Sequence, residues 1–403
     1  VTRHGGFLRN PPCKGLLIKE TIYWIMTKKR NTSADRRISA TIDRGPARYF
    51  HGRKKILGDF TDLANQSVQS KGGTIFLIQG APGAGKSALL YECEQVVRKS
   101  GWHVAKIKAG ALWDTRKMMR SLGLGKMVGI DSVAVSLLEA FEAQVTLSKP
   151  ARSTTSLNVV GKRKRKPLLL ILDEAQRLSK ASDHSKTQFD EACDLLEAIH
   201  NGELNKPVIL LAAGLGTTFN VFESMGISRF AKKCQVQLGA LSKDSEREVI
   251  LDWLVKEGGA EGDPTPWIDA ISKETHGWPH HILSYAAPAA ACLRDHQGVM
   301  TPDGLEDVLT EGAEGKLEYY KERAYGFSEE VRQSLAKAFV GVPLEGSTTQ
   351  KKIISYLSKN FGTDRAADLF DKALQKGLLD GKDGRFAIPI PSMQTWLIEC
   401  YAS

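Results

Sequence analysis

The chain has 403 residues, a formal net charge of +10, 42% hydrophobic residues and 25% charged ones. That is enough apolar material for two or three separate cores, and it excludes a chain disordered throughout. The best candidate membrane segment, Ile282 to Leu293, falls well short of the roughly 20 apolar residues that span a bilayer, and the cysteines Cys13, Cys93, Cys193, Cys234, Cys292 and Cys400 form no C-x-x-C pair, which argues against a structural zinc site.

Residues 1–50 form a basic arm without long periodic runs, and five further positive charges stand together at Lys162, Arg163, Lys164, Arg165 and Lys166. Such segments suit a polyanion, although a run like the second is also what a solvated loop carries. No secretory signal pattern is present in the arm, and the expected location is cytoplasmic. A helix is expected over Ile56 to Lys71, where Ile56, Leu57, Phe60, Leu63, Ala64 and Val68 make one apolar stripe. The apolar stretch Gly73 to Gln79 then reads as a strand, followed by a glycine loop and a helix over Ala88 to Lys99.

Further strands are expected at His103 to Lys108, Leu168 to Leu172 and Val208 to Ala213, with an amphipathic helix at Gln188 to His200. Strand, loop, helix in repetition predicts an α/β core with a parallel sheet covered on both faces. Residues 111–167 read as an insertion carrying a surface loop. From Ser242 the pattern turns helical: Ser242 or Asp244 caps a helix over Glu246 to Lys256, Trp267 to Glu274 and Pro279 to Arg294 follow, and Thr301 with Pro302 opens another. The last unit starts near Ser328 as a cap, continues with helices at Lys351 to Asn360 and Asp364 to Lys376, and ends in two short strands turning at Asp383 and Gly384. The division predicted is an arm (1–50), a nucleotide-binding core (51–241), a small helical lid (242–327) and a C-terminal winged-helix domain (328–403).

The chemistry is concentrated in two strings. Gly80, Ala81, Pro82, Gly83, Ala84, Gly85, Lys86 and Ser87 realise G-x-x-x-x-G-K-S between an apolar strand and a helix. Glycines there let backbone N–H groups wrap phosphates at a helix N-terminus, Lys86 reaches the β and γ phosphates, and the Ser87 hydroxyl ligates Mg²⁺. The strand Leu168 to Leu172 delivers Asp173 and Glu174 to its carboxyl end, where open α/β sheets bind ligands; Asp173 would hold Mg²⁺ through water and Glu174 would polarise the attacking water. ATP and Mg²⁺ are the expected cofactors.

With these motifs the chain resembles AAA+ ATPases, a P-loop NTPase class, in the origin-recognition-like and STAND-like group. The resemblance assigns Gly52 to the adenine and Arg53 to bracing the lid. It places a polar sensor residue at Thr217, with Thr218 close behind, and an arginine finger for a neighbouring subunit at Arg229, which a surface ion pair would equally explain. It also sets Gly277, Pro279 and His280 at the start of a lid helix over the nucleotide, His281 being the alternative phosphate contact. No arginine stands in that element, so slow or partner-stimulated hydrolysis is expected. The resemblance implies a DNA-associated ATP switch that forms homo- or hetero-oligomers and binds double-stranded DNA, with Arg365, Lys372 and Lys376 of the presumed recognition helix and Lys162 to Lys166 as contacts. Residues 328–403 carry ten basic and nine acidic side chains, and that near balance keeps open a STAND-like signalling or scaffold ATPase governed by a protein regulator.

Overall fold

The computed structural model describes residues 47–118 and 166–402, except 116, 184, 205, 228, 229, 231, 345 and 383. Helix α1 (Lys54–Ser70) precedes strand β1 (Gly73–Gly80), and α2 (Lys86–Lys99) leads to β2 (His103–Ile107) and the short α3 (Ala109–Leu112). Strand β3 (Leu168–Leu172) is followed by a 3₁₀ segment, α4 (Lys186–His200), β4 (Val208–Gly214), α5 (Thr218–Ser224) and β5 (Gln235–Leu238). The five strands lie in the order β2-β3-β4-β1-β5, and every pairing is parallel.

Parallel strands joined by helices are buried on both faces, and the sequence of β4 obeys that requirement. Its residues alternate between two cores: Ile209, Leu211 and Ala213 face the layer of α1 and α2, while Val208, Leu210 and Ala212 face the layer of α4 and α5. Strand β4 lies between β1 and β3, so it separates the phosphate loop from Asp173 and Glu174 and brings its own carboxyl-end loop between them. Helix α4 begins at the capping box that Ser185 forms with Gln188.

The segment after β5 is helical: α6 (Lys243–Asp252) runs on through a π-helical turn, and α7 (Thr265–Thr275), α8 (Pro279–Asp295) and α9 (Pro302–Ala324) pack around a core of their own. Ser242 and Thr301 cap α6 and α9 through their side chains. The C-terminal unit consists of α10 (Glu329–Phe339), β6 (Thr348–Thr349), α11 (Gln350–Phe361), α12 (Thr363–Gln375), β7 (Asp380–Lys382), β8 (Arg385–Ala387) and α13 (Pro391–Tyr401), with the small sheet ordered β6-β8-β7. Ser328 stands at the start of α10 as expected, but its side chain makes no capping bond to the helix backbone. The core on the α1–α2 side of the large sheet continues without a break through Trp278, Tyr319 and Tyr320 into this last unit. Among the described residues no helix is long and apolar enough to cross a membrane.

Candidate nucleotide site

The loop between β1 and α2 bends at Gly83 and Gly85, whose φ angles of +75° and +88° lie in the left-handed region that side chains other than glycine rarely adopt. Lys86 opens α2 and is buried. Its Nζ donates to the carbonyls of Gly80 at 2.8 Å and Ala81 at 2.9 Å, so the ammonium is held inside the turn of the loop. Burial pushes its pKa down to about 8, with Glu174, Asp173 and Asp380 pulling in the opposite direction.

Across the site, Ser87 Oγ donates to Asp173 Oδ2 at 3.2 Å, and Asp173 Oδ1 accepts from the Glu174 backbone N–H at 2.9 Å. Hydroxyl and carboxylate oxygens held together in this way are the hard donors that magnesium prefers. Glu174 itself sits at φ +58°, an unfavourable conformation for a side chain that bulky and one that functional sites tolerate. Its Oε2 accepts from Gln176 Nε2 at 2.6 Å, while Gln176 Oε1 accepts from the Leu215 N–H at 3.1 Å. One carboxamide therefore fixes the glutamate to the loop after β4. In that loop the Thr218 hydroxyl is spent on the Leu215 carbonyl at 2.7 Å, whereas Thr217 Oγ1 is buried with no hydrogen-bond partner among the described residues. Of the two threonines in the loop after β4, Thr217 is thus the one whose hydroxyl is still able to take up a further hydrogen bond.

The helical unit closes over the loop. Tyr319 of α9 donates its hydroxyl to the Pro82 carbonyl at 2.7 Å, and the His280 backbone N–H donates to the Gly83 carbonyl at 3.2 Å. The His280 ring stacks on Tyr319 with centroids 4.2 Å apart. Pro279 takes the first turn of α8, as its missing N–H allows. His281 is fully buried and packs edge-on against Tyr319 and Tyr320; desolvation, reinforced by His280 and Lys316, pushes its pKa down to about 3, so the ring is a neutral core element. The histidine on the phosphate loop is thus His280. Sequence reasoning missed Tyr319 and Arg323, whose guanidinium lies 5.3 Å from the Tyr319 ring centroid and whose charge acts on Lys86. Both lie on α9, far along the chain from the motifs.

Gly52 and Gly277 meet on either side of Leu241. A Cβ on Gly52 would stand 3.1 Å from the Leu241 side chain and 2.8 Å from Ser245 Cβ, and one on Gly277 would stand 2.5 Å from the Leu241 carbonyl. Arg53 donates to the Gly239 carbonyl at 2.6 Å, bracing the connection into the helical unit; burial lowers its pKa. His51 reaches Asp252 of α6 at 2.9 Å. Gly277 is further pinned where its N–H donates to the buried Glu246 carboxylate at 2.7 Å. Gly277→Ala is accordingly expected to cost at least about 2 kcal/mol, because it combines a φ of +72° with a clash against backbone. Chemical denaturation checks this, and a loss under about 0.5 kcal/mol would contradict the packing described.

The remaining sequence candidates fare unevenly. Arg229 and Lys162 to Arg165 lie outside the described residues; Lys166 is exposed just before β3. Lys372 donates to the Gly326 carbonyl at 2.8 Å and Arg365 packs 5.5 Å over the Phe361 ring. Lys376 ends α12 beside Gly377, where a Cβ would stand 2.6 Å from Pro82 of the phosphate loop. The carboxyl end of α12 is therefore docked against the nucleotide edge.

Residues 49–204 match the family model of the AAA ATPase domain. Among solved structures, the Aeropyrum pernix ORC2 protein in its ADPNP–ADP complexes is similar with a TM-score of 0.52 at 14% identity, over 89% of this chain and 94% of that one. The ADP form of the same protein gives a TM-score of 0.52 at 14% identity over 90% and 97% of the two chains. At that identity the likeness is one of fold. No curated protein matches the sequence.

Proposed function

We propose that this chain, whose residues 49–204 match the AAA ATPase domain and whose fold is like that of an origin-recognition protein, is an ATP-binding and ATP-hydrolysing AAA+ molecular switch associated with DNA, whose output is the C-terminal unit, read as a winged helix. The observation that carries the switch is the convergence of all three units on one loop: Pro82 accepts from Tyr319 and packs against Gly377, and Gly83 accepts from His280. Through these contacts a change in what the loop holds would reach both the lid and the C-terminal unit.

In the reaction proposed, the loop N–H groups and Lys86 bind the phosphates, and Glu174, oriented by Gln176, takes the proton of the attacking water. Thr217 would report on the γ phosphate. Mg²⁺, held by Ser87 and through water by Asp173, would neutralise charge on the β and γ phosphates. Arg229 would serve a neighbouring subunit's nucleotide in a homo- or hetero-oligomer. DNA contact rests on the basic segments and on Arg365, Lys372 and Lys376 of α12, which an undocked unit would present to a groove.

A second reading is favoured by the docked state itself: the C-terminal unit is held against the nucleotide edge, as in a STAND-like signalling or scaffold ATPase released by a protein partner. ATP hydrolysis measured with and without duplex DNA at two salt concentrations separates the two. Stimulation that disappears at high salt is expected for the DNA-associated switch, because phosphate contacts release counterions. Turnover indifferent to DNA would reject that reading in favour of a protein trigger.

A further inference from the structure

Strand β7 brings a carboxylate to the nucleotide edge of the large sheet. Asp380 is 8% exposed and accepts from Gln237 Nε2 at 2.6 Å and from Gln79 Nε2 at 3.3 Å. Gln79 immediately precedes the phosphate loop, and its Oε1 accepts from the Phe219 N–H at 3.0 Å. One buried amide therefore joins the C-terminal unit, the loop-bearing strand and the start of α5. Gly216 lies directly against the carboxylate, since a Cβ there would stand 2.5 Å from Asp380 Oδ1. Two carboxamide donors and a glycine with no room for a side chain make a fitted seat for this group.

Among the described residues the seat contains no ion-pair partner of opposite charge. Gln79 and Gln237 are neutral, and no lysine or arginine makes an ion pair with Asp380 among the described residues. A buried carboxylate in neutral surroundings is costly, and burial raises the Asp380 pKa against the hydrogen bonds from Gln237, Gly381 and Gln79 and the more distant charge of Lys86. The cation that does feel Asp380 is the loop lysine that reaches the β and γ phosphates.

We propose that Asp380 sets the nucleotide preference of the docked form: its carboxylate and the terminal phosphate of a nucleoside triphosphate compete for the same positive end of the phosphate loop. The docked chain accepts a nucleoside diphosphate, and a triphosphate drives β7 off the sheet edge. Asp380 and Lys86 are both buried, and repulsion between like charges grows as the surrounding dielectric falls, so the third phosphate and the seated carboxylate oppose one another. This rests on the switch reading above and supplies its trigger.

The test is titration of the full chain, in Mg²⁺, with ADP and with a non-hydrolysable ATP analogue. The unaltered protein is expected to bind ADP about tenfold more tightly or better. Asp380→Asn, which removes the charge and keeps the shape, is expected to tighten the analogue to within about threefold of ADP while leaving ADP unchanged. Equal affinities in the unaltered protein, or a ratio unmoved by Asp380→Asn, would overturn the proposal while leaving nucleotide binding intact; failure to bind either nucleotide would overturn the switch reading with it. Amide hydrogen exchange across residues 377–387 of the unaltered protein gives an answer that needs no variant. Faster exchange with the analogue than with ADP is expected, and identical exchange would refute the displacement.

Discussion

Lys86→Ala is expected to leave the ligand-free protein folded and to weaken nucleotide binding by on the order of a hundredfold or more, the loss of one charge-assisted contact worth up to about 3 kcal/mol. The two halves of that expectation have one cause. In the ligand-free site the ammonium is buried, bonded to the carbonyls of Gly80 and Ala81, and its pKa is pushed down to about 8, chiefly by desolvation. The fold therefore carries this charge at a cost, and a methyl group in its place removes the cost together with the two bonds. On the proposed role, the same charge would become the principal side-chain partner of arriving phosphates. Thermal unfolding with and without ADP reads both effects: nearly equal midpoints without nucleotide, and a nucleotide-induced rise only in the unaltered chain. A variant unfolded without nucleotide would show that Lys86 is structural, and one still stabilised by ADP would show that the phosphates bind elsewhere.

The parts of this site visible in the sequence are those whose physics is local. An apolar run of five residues, Leu168 to Leu172, is a two-sided buried strand wherever it occurs in an α/β chain, and G-x-x-x-x-G-K-S between a strand and a helix has few other uses. Caps at Ser242 and Thr301 are settled within three residues, and the structure forms them. Strand β5 escaped because Gln235, Val236, Gln237 and Leu238 have no apolar run; it pairs with β1 along one side only and needs none. The contacts that close the site escaped for a different reason. Tyr319 meets Pro82 across 237 residues, Gln79 meets Asp380 across 301 and Gln237 meets Asp380 across 143. Nothing in the periodicity of α9 marks Tyr319 as different from Tyr320 beside it, yet one hydroxyl closes on the phosphate loop and the other on Ser392. Ser328 shows the opposite error, since a residue of the right type stands at the right place and its side chain makes no capping bond.

Glu174→Gln is expected to separate binding from chemistry. The substitution keeps the volume and an oxygen able to accept from Gln176 Nε2, so the link from Gln176 to Leu215 survives and the loop after β4 stays in place. What is lost is the carboxylate's ability to take a proton from the attacking water, an effect of about a hundredfold to ten-thousandfold for a positioned general base. Nucleotide affinity should change by less than about threefold, because Glu174 does not belong to the phosphate loop and the hydroxyl–carboxylate pair of Ser87 and Asp173 is untouched. Single-turnover hydrolysis beside equilibrium nucleotide titration provides the check. Unchanged turnover would remove Glu174 from the role of base, and its left-handed backbone at φ +58° would then require another explanation. Equal losses in binding and turnover would instead assign Glu174 to holding the site together, through the same Gln176 bridge that makes it a plausible base.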